Sequence, residues 1–464
     1  MSYLMLHDVV AIWQAGVKAV DPVELVARFV RCSQSSLQFG KHILDNSSIS
    51  EVCVVGAGKA SAGMAKGLEQ ALANSCLSQR LSGHVIVPDT QVTQLASIQL
   101  VAGRSGHVNL PTRQAVEETT KILATVSRLN NSSLCIVLIS GGGSALLTAP
   151  RPPVSLEDKI ATIRALSDAG ATIEQLNSIR GRLSLVKHGG LANACQASRM
   201  IGLILSDVIG DSFEAVASGP TFQAPEHQFQ NPKLILESLS VDFSRLPLSV
   251  QTILLKPMDS LEANPIGLAT AYGAGADQVM TEKSVHNFLL GNNQTAMAGC
   301  VERSAELGHL TEYASLDKSE SVQAVAEKVV QIILNSRRPK SDRVYVFGGE
   351  PTIPLVTKSM RGLGGRNQQL VLEVWLRLKQ VIGEDWDLDV DFALLCGGTD
   401  GEDGPTDAAG GWLTSQTFKH ATLQTLARQC ERNDAYPLLA EVGQLFQPGV
   451  TGTNVCDLIV LKIS

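Results

Sequence analysis

Five glycine-rich turns, each at the end of a short apolar run, constrain this chain more than any other feature of its sequence. They are VCVVGAGKASAGMA (52–65), IVLISGGGSALL (136–147), LILSDVIGD (203–211), VYVFGGEPT (344–352) and FALLCGGTDGEDGPTDAAGG (392–411). A short apolar run that ends in glycine is typical of a buried parallel strand, whose loop lies at the carboxyl edge of a sheet. Open α/β sheets bind ligands at that edge. The turns therefore predict one composite site, and their glycines indicate a phosphate ligand.

Length and composition favour an α/β enzyme with more than one domain. The 464 residues exceed what one ordinary core accommodates. Aromatic residues make up only 4% of the chain, whereas there are 40 glycines. The net charge of −7 gives no broad basic surface, so we expect no nucleic-acid partner. An anionic substrate would need locally placed lysines and arginines.

The cysteines and the N-terminal residues suggest a reducing compartment. None of the nine cysteines belongs to a CxxC pair, so we expect buried, reduced thiols rather than disulfides or a zinc site. The sequence MSYLMLHDVV has neither a basic region with a cleavage site nor the arginine-rich composition of a transit peptide. No uninterrupted apolar stretch of about 18 residues occurs. We therefore expect a cytoplasmic protein with no membrane partner.

Predicted strands and helices alternate on both sides of a proline-rich stretch. Ser155 and Thr172 each begin a capping sequence, which predicts helices between Asp158 and Leu191. Residues 222–265 are rich in proline and polar residues, and we interpret them as the join between two domains. Alternation then resumes, with a predicted helix over 367–382 and a final strand over 458–463. The pattern predicts an N-terminal Rossmann-like domain (1–245) with a doubly wound sheet, and a C-terminal α/β domain (246–464).

The first turn predicts an anion site beside Lys59. Gly56 and Gly58 allow a ligand to approach the backbone closely, and the following helix would direct its N–H groups at that ligand. A dinucleotide fingerprint would need glycine at position 61, which is Ser61. The spacing of a Walker A loop is also absent. The alternative is a tight turn with a solvated lysine.

The second turn offers backbone donors without a nucleophile motif. Ser140, Gly141, Gly142, Gly143 and Ser144 could form a nest of N–H groups with a hydroxyl beside it. The G-x-S-x-G pattern fails because its final glycine is missing. From this segment alone, a structural glycine turn is an equally good interpretation.

Four further charged residues lie at turns, where their charge suggests a chemical role. Asp207 follows a predicted strand and could hold a divalent metal, accept a hydroxyl proton or simply cap a helix. Arg366 lies at a helix start, where the helix dipole disfavours cations, so a bound anion would explain it unless it is merely solvated. Asp400 and Asp403 lie in an acidic turn that fits magnesium better than calcium, or is a solvated loop.

Taken together, the segments resemble the class II glycerate kinases, the family whose C-terminal part is called the MOFRL domain. The resemblance extends over nearly the whole chain and is strongest at GAGKASAGMA, LISGGGSALL, LILSDVIGD, GGEPT, GGRNQQL, GGTDGEDGPTDAAG and TGTNVCDL. The details are most similar to the animal members, the D-glycerate 2-kinases. The resemblance implies two α/β domains with the active site in the cleft between them, and a MOFRL region at about 343–460.

The resemblance also implies roles for individual residues. Lys59 matches the proposed catalytic lysine of the family, Arg366 its arginine and Asp207 its L-S-D acid. Asp400 and Asp403 match the carboxylates that we assign to Mg²⁺. We expect substrate and phosphate contacts from the glycine turns and from three polar residues, Asn293, Glu350 and Asn367.

The chain departs from the family pattern at a few positions. Gln369 stands where the family usually has glutamate. Gly181 replaces a lysine of the R-K-x-L-S segment, and His188 interrupts the K-G-G turn. These two departures put substrate contacts in the 180–190 segment in doubt.

The function implied by the resemblance is ATP-dependent phosphorylation of D-glycerate at its 2-hydroxyl, giving 2-phospho-D-glycerate and ADP. The expected ligands are D-glycerate, ATP and Mg²⁺, and the sequence leaves open whether the protein is a monomer or a homodimer. The residues themselves also allow an NAD(P)-dependent hydroxypyruvate reductase, a kinase of another small hydroxy acid, or a non-catalytic sensor of nucleotide or sugar phosphate.

Overall fold

The computed structural model describes residues 2–105, 110–208, 210, 212–222, 230–256, 269–270, 284–336 and 342–464. The helices are α1 (Ser2–Ala19), α2 (Pro22–Phe29), α3 (Ser61–Leu72), α4 (Arg113–Val126), α5 (Gly143–Leu146), α6 (Leu156–Asp168), α7 (Ile173–Arg182), α8 (Gly190–Ala194), α9 (Pro232–Ser238), α10 (Leu248–Leu254), α11 (Asn293–Glu306), α12 (Val322–Asn335), α13 (Arg366–Ile382), α14 (Leu423–Glu431) and α15 (Ala435–Glu441). Within the described residues, no helix combines the length and apolar character needed to cross a membrane.

The strands are β1 (Val30–Cys32), β2 (Ser36–Phe39), β3 (His42–Asp45), β4 (Glu51–Ala57), β5 (Leu81–Pro88), β6 (Ile98–Arg104), β7 (Ser133–Ile139), β8 (Arg199–Leu205), β9 (Ala269–Thr270), β10 (Ser284–Gly291), β11 (Leu310–Ser315), β12 (Arg343–Gly349), β13 (Phe392–Gly398), β14 (Gly410–Thr414), β15 (Leu445–Phe446) and β16 (Asp457–Ile463). All five glycine-rich turns follow strands, namely β4, β7, β8, β12 and β13.

The chain forms two compact units, which divide at positions other than the expected boundary between residues 245 and 246. The split unit combines Met1–Asp21 with Gly291–Ser464, and the continuous unit is Pro22–Leu290. Helix α1 belongs to the split unit because it packs on α11, β13 and β16. Residues beyond 245 remain in the continuous unit because β10 extends the sheet of that unit.

The continuous unit contains the predicted doubly wound sheet. Its strand order is β6-β5-β4-β7-β8-β10-β9, and the pairs from β6 to β8 are parallel. Strands β5 and β6 lie on one side of β4, whereas β7 and β8 lie on the other. The chain therefore reverses its direction across the sheet between β4 and β7. Such a switch point opens a crevice at the carboxyl ends of the two strands, and the first two glycine-rich turns lie there.

A helical layer of the continuous unit has its own small core. It is formed by α6, α7, α9 and α10 around buried aliphatic residues such as Leu166, Ile179 and Ile253. The two predicted caps are confirmed, because the side chains of Ser155 and Thr172 accept N–H groups in the first turns of α6 and α7. Within the proline-rich stretch that we interpreted as a join, residues 223–229 and 257–265 lie outside the described residues.

The sheet of the split unit is mixed, with the order β11-β12-β16-β13-β14-β15. Strand β12 is parallel to β11 but antiparallel to β16, and β13 is antiparallel to both of its neighbours. The expectation of parallel pairing is therefore wrong for β13 and only half right for β12. Both strands nevertheless run in the same direction, because β16 is antiparallel to each. Their glycine turns consequently end at one edge, where Gly349 and Gly398 both pair with Asp457.

Trp13 and a buried ion pair attach α1 to the split unit. The indole N–H of Trp13 donates to the Gly397 carbonyl at 3.1 Å, and its ring meets Phe446 edge-on at 4.8 Å. Lys462, which lies in β16, donates to the carboxylate of Asp8 at 2.6 Å. These contacts bridge more than 380 positions of sequence, so α1 completes the core of a unit that otherwise begins at residue 291.

We predict that Trp13→Ala destabilises the split unit by about 3–5 kcal/mol, because it removes a fully buried ring and a hydrogen bond. Hydrogen exchange with mass spectrometry should show faster exchange in β13 and unchanged exchange in β4. Trp13→Phe keeps a ring against Phe446 and should destabilise the split unit less than Trp13→Ala does. Equal acceleration of β4 and β13 in Trp13→Ala would contradict the division into these two units.

Candidate functional site

A direct backbone contact joins the turns that follow β4 and β7. Gly58 has φ +152°, and a Cβ there would lie 2.0 Å from Ser140 Oγ. Because glycine lacks that atom, the Ser140 hydroxyl can accept the N–H of Ala60 at 2.9 Å. The N–H of Lys59 donates to the Gly141 carbonyl at 2.8 Å. The two turns therefore form one rigid structure at the switch point.

Two cationic side chains lie against the second turn. A Cβ placed on Gly142 would lie 3.2 Å from Arg104 Nη2 and 3.4 Å from Lys59 Cγ. Arg104 is the last residue of β6 and is buried, and its Nη1 donates to the Ser105 carbonyl at 3.0 Å. A glycine turn flanked by an arginine and a lysine suits an anion such as phosphate. Arg104 was not singled out from the sequence, because its position on Gly142 is a tertiary contact.

The remaining predicted residues of the continuous unit surround these turns. Gly56 lies within β4, where a Cβ would meet the Leu138 carbonyl oxygen at 2.0 Å. Gly143 and Ser144 begin α5, and the Ser144 hydroxyl lies 3.1 Å from that of Ser218. Asp207 follows β8, the strand next to β7, and is partly exposed. All predicted residues of this unit thus lie at the carboxyl ends of β4, β7 and β8.

Arg366 is paired with carboxylates of the chain itself. Its Nε lies 2.5 Å and its Nη2 3.1 Å from the two carboxylate oxygens of Asp457, and Nη1 contacts Glu350. Burial acts to lower the pKa of Arg366, but Asp457 and Glu350 outweigh it and raise that pKa well above its usual value. The pairs explain why a cation is stable at the start of α13 without an external anion. Asp457 was missed as a site residue, because only the pairing of β16 between β12 and β13 brings it there.

Asp403 caps α13 rather than pointing into open space. Its carboxylate accepts the N–H groups of Asn367 at 3.2 Å and of Gln368 at 2.9 Å, and it is 3% exposed. Burial raises the pKa of Asp403 to about 7, against the opposing effect of those two hydrogen bonds. Negative charge at a helix N-terminus is stabilising. The structure therefore gives Asp403 and Asn367 a role in holding the first turn of α13, which carries Arg366.

Asp400 is the predicted metal residue that remains accessible. It is partly exposed, and its Oδ1 accepts the N–H of Glu402 at 3.1 Å. A Cβ on Gly398 would lie 3.1 Å from Asp400 Oδ1 and 3.4 Å from Asp457 Oδ1, so the two carboxylates are neighbours. Within the described part of the chain, no group of three or more acidic, histidine or cysteine side chains has the geometry to hold a metal by itself.

Asn293 and Gln369 have structural partners in the split unit. The side-chain amide of Asn293 donates to the carbonyls of Val455 at 2.8 Å and Asp457 at 3.0 Å, which holds the start of β16. The amide of Gln369 donates to Glu373 and to the Cys430 carbonyl, both at 3.1 Å. A glutamate at position 369 could not donate these bonds and would place a second buried carboxylate beside Glu373.

The two departures in the 180–190 segment are physically linked. A Cβ on Gly181 would lie 1.9 Å from Nδ1 of His188, so the imidazole occupies the space that a side chain at position 181 would need. His188 has φ +49°, and its N–H donates to the Ser218 carbonyl at 2.9 Å. Burial and the neighbouring Lys187 lower the pKa of His188 to about 4. The ring is therefore neutral near pH 7, and it fills the space beside Gly181.

Two known protein families match successive parts of the chain. Residues 8–255 match a domain of unknown function, DUF4147, and residues 343–457 match the MOFRL family. A glycerate kinase from Rattus norvegicus is 35% identical, over 97% of this chain and 91% of the relative. The chain belongs to the glycerate kinase family.

More distant members of the family share the fold. A glycerate 2-kinase from Pyrococcus horikoshii is 29% identical, over 97% of this chain and 95% of the relative. The crystal structure of a glycerate kinase from Thermotoga maritima superposes with a TM-score of 0.74 at 26% identity, covering 100% of both chains. The two-unit α/β architecture is therefore that of the family.

We predict that Gly181→Ala destabilises the protein by about 1–3 kcal/mol, because the added methyl group overlaps the His188 ring. In a His188→Gly background the same substitution should leave the free energy of unfolding almost unchanged, since the ring is absent. Thermal melting of the wild type, both single variants and the double variant measures this coupling. An equal cost of Gly181→Ala in both backgrounds would show that the two positions are independent.

Proposed function

We propose that this protein transfers the γ-phosphoryl group of ATP to the 2-hydroxyl of D-glycerate, giving 2-phospho-D-glycerate and ADP. The observation that carries the proposal is the pair of interlocked glycine turns at the switch point, with Lys59 and Arg104 against Gly142. Phosphoryl transfer depends on positioning and on neutralising the phosphate oxygens. The relatives named glycerate kinase supply the identity of the acceptor.

The residues of the continuous unit provide the means for this transfer. Lys59 and Arg104 offset the negative charge that the phosphoryl group carries in the transition state. The turn from Ser140 to Ser144 offers backbone N–H groups to phosphate oxygens. Asp207, at the carboxyl end of β8, orients the acceptor hydroxyl and takes its proton.

The split unit carries further residues to which the family resemblance gives roles. Arg366 keeps the charge-stabilising role that the family resemblance implies, with its geometry fixed by Asp457 and Glu350. Asp400, which is partly exposed, would hold a Mg²⁺ ion, since proteins bind this ion through one or two carboxylates together with phosphates and water. When bound, Mg²⁺ neutralises charge on the phosphates. Asp403, which the sequence assigned to the metal, is instead engaged at both carboxylate oxygens by N–H groups of α13.

A nicotinamide-dependent reductase fits the structure less well. Ser61 stands where the third glycine of a dinucleotide fingerprint would be, and it is fully buried. Its hydroxyl lies 3.3 Å from Ser140 Oγ and donates to the Leu138 carbonyl. The helix therefore approaches the strand through a hydrogen-bonded side chain rather than through glycine.

The thiols support a reducing compartment. The nine cysteines are reduced thiols, and seven of them, all except Cys32 and Cys76, are buried. Burial raises the pKa of the Cys53 and Cys300 thiols to about 12, which keeps them protonated and inert. We propose that the protein acts in the cytoplasm.

The reaction is tested by incubating the pure protein with ATP, Mg²⁺ and D-glycerate and recording ADP release. Phosphorus NMR of the product distinguishes a 2-phosphate from a 3-phosphate. We expect the 2-phosphate, and a loss of about 100-fold in turnover for Lys59→Ala and for Arg366→Ala. Lys66→Ala is the matched control, because Lys66 is an exposed lysine on the same helix, α3.

Three outcomes would contradict the proposal. The first is consumption of NADPH with hydroxypyruvate in the absence of phosphoryl transfer. The second is phosphoryl transfer to another hydroxy acid but not to D-glycerate. That result would support a kinase but contradict D-glycerate as its substrate. The third is near wild-type turnover in Lys59→Ala, which would remove that lysine from the mechanism.

A further inference from the structure

The continuous unit contains a second group of cationic side chains, in addition to Lys59 and Arg104. It consists of Lys159 on α6, Arg180 on α7 and Lys187 in the loop before α8. Lys159 and Lys187 are only 6% and 3% exposed. Such burial is unusual for lysine, since a buried charge is costly unless an opposite charge accompanies it.

The partners of these cations within the described residues are neutral. Lys159 Nζ donates to the Thr148 hydroxyl at 3.1 Å, and Lys187 Nζ donates to the Ala217 carbonyl at 2.7 Å. Arg180 Nη1 donates to the amide oxygen of Asn177 at 3.2 Å. Among those residues, no carboxylate pairs with any of the three.

The cations also interact unfavourably with one another. Burial, followed by the nearby charges of Lys159 and Arg180, lowers the pKa of Lys187 well below its usual value. Burial and Arg180 lower the pKa of Lys159 to about 8. A cluster of this kind is stabilised when an anion enters, because the anion supplies the missing opposite charge.

Hydrogen bonds connect this cluster to the second glycine turn. The Ser218 hydroxyl donates to the same Asn177 oxygen as Arg180, at 3.2 Å, and lies 3.1 Å from the Ser144 hydroxyl. Ala217, whose carbonyl accepts Lys187, precedes Ser218, and both residues have left-handed backbone conformations with φ of +50° and +60°. Strain of this kind in non-glycine residues is characteristic of ligand sites.

We propose that Lys159, Arg180 and Lys187 bind the carboxylate of the hydroxy-acid substrate. The inference rests on the proposed function for the identity of that acid. Three cations can donate to both oxygens of a carboxylate, and the hydroxyls of Ser144 and Ser218 and the amide of Asn177 suit the hydroxyls of a small acid. The ATP phosphates are then left to Lys59, Arg104 and the glycine turns.

The test uses Lys159→Met and Lys187→Met, with Lys233→Met as the matched control. Methionine resembles lysine in length and tolerates burial, whereas Lys233 is an exposed lysine of the same unit, with 82% of its side chain accessible. We expect KM for D-glycerate to rise roughly 10- to 100-fold in the first two variants, as for loss of a hydrogen bond to a charged group. KM for ATP and the control variant should be unchanged.

The melting temperature separates binding from a structural role. Replacing a buried, unpaired charge by an apolar side chain should leave Tm unchanged or raise it. A lower Tm with both KM values unchanged would overturn the proposal, because the cluster would then act only in folding. A rise in KM for ATP alone would also overturn it, since the cluster would then hold phosphate.

Direct binding distinguishes this proposal from the reaction itself. Calorimetric titration of the wild type without nucleotide should detect D-glycerate and should not detect D-glyceramide, which lacks the negative charge. Loss of D-glycerate binding in Lys187→Met would support the site even if the wild type transferred no phosphate. Wild-type turnover together with unchanged D-glycerate binding in Lys187→Met would refute the site and leave the reaction intact.

Discussion

The close approach of Gly58 to Ser140 is the contact on which the candidate site depends. It brings the turn after β4 within hydrogen-bonding distance of the turn after β7, so that Lys59 N–H bonds to the Gly141 carbonyl and Ala60 N–H to the Ser140 hydroxyl. A side chain at position 58 would separate the turns. Because the backbone is fixed in this way, the Lys59 side chain lies against Gly142 instead of extending from an isolated loop.

The two units carry opposite kinds of electrostatic imbalance around their predicted residues. In the continuous unit, the buried lysines Lys159 and Lys187 donate to a neutral hydroxyl and a neutral carbonyl. In the split unit, the carboxylates of Glu350, Asp403 and Asp457 surround the single guanidinium of Arg366, and Asp457 is 2% exposed. Buried groups of like charge are costly. Phosphoryl transfer would explain the cations of the continuous unit, because cations stabilise phosphate, whereas the carboxylates of the split unit hold Arg366 and the first turn of α13 in place.

The sequence predicted local features well because their signals are local. Glycine after an apolar run marked the strand ends correctly, and α13, predicted over 367–382, is Arg366–Ile382 in the structure. The direction of β13 could not be predicted, since a strand buried on both faces has the same composition whether its neighbours run parallel or antiparallel. The placement of α1 also escaped prediction, because it depends on contacts with residues almost 400 positions away.

Contacts between distant parts of the sequence also limited the prediction of individual site residues. The helix dipole argument correctly found Arg366 anomalous, but the charges that stabilise it lie far apart in the sequence. Asp457 begins β16 and Glu350 directly follows β12, so they become neighbours only in the folded sheet. The burial of Lys159 and Lys187 was not predicted, since burial of a charged side chain leaves no local sequence signal. Conversely, nothing in the sequence linked Gly181 to His188. In the structure, the absence of a side chain at position 181 leaves the space that the His188 ring occupies.

The most direct test of the account is chemical labelling of Lys59 by an acyl phosphate of ATP, which acylates lysines that lie beside the terminal phosphate. Mass spectrometry of the labelled protein should find the label on Lys59, and excess ATP should suppress it. Lys66, on the same helix but exposed, provides the internal reference. Equal labelling of both lysines, or labelling of Lys59 that ATP does not suppress, would contradict the claim that the interlocked turns hold the phosphates beside Lys59.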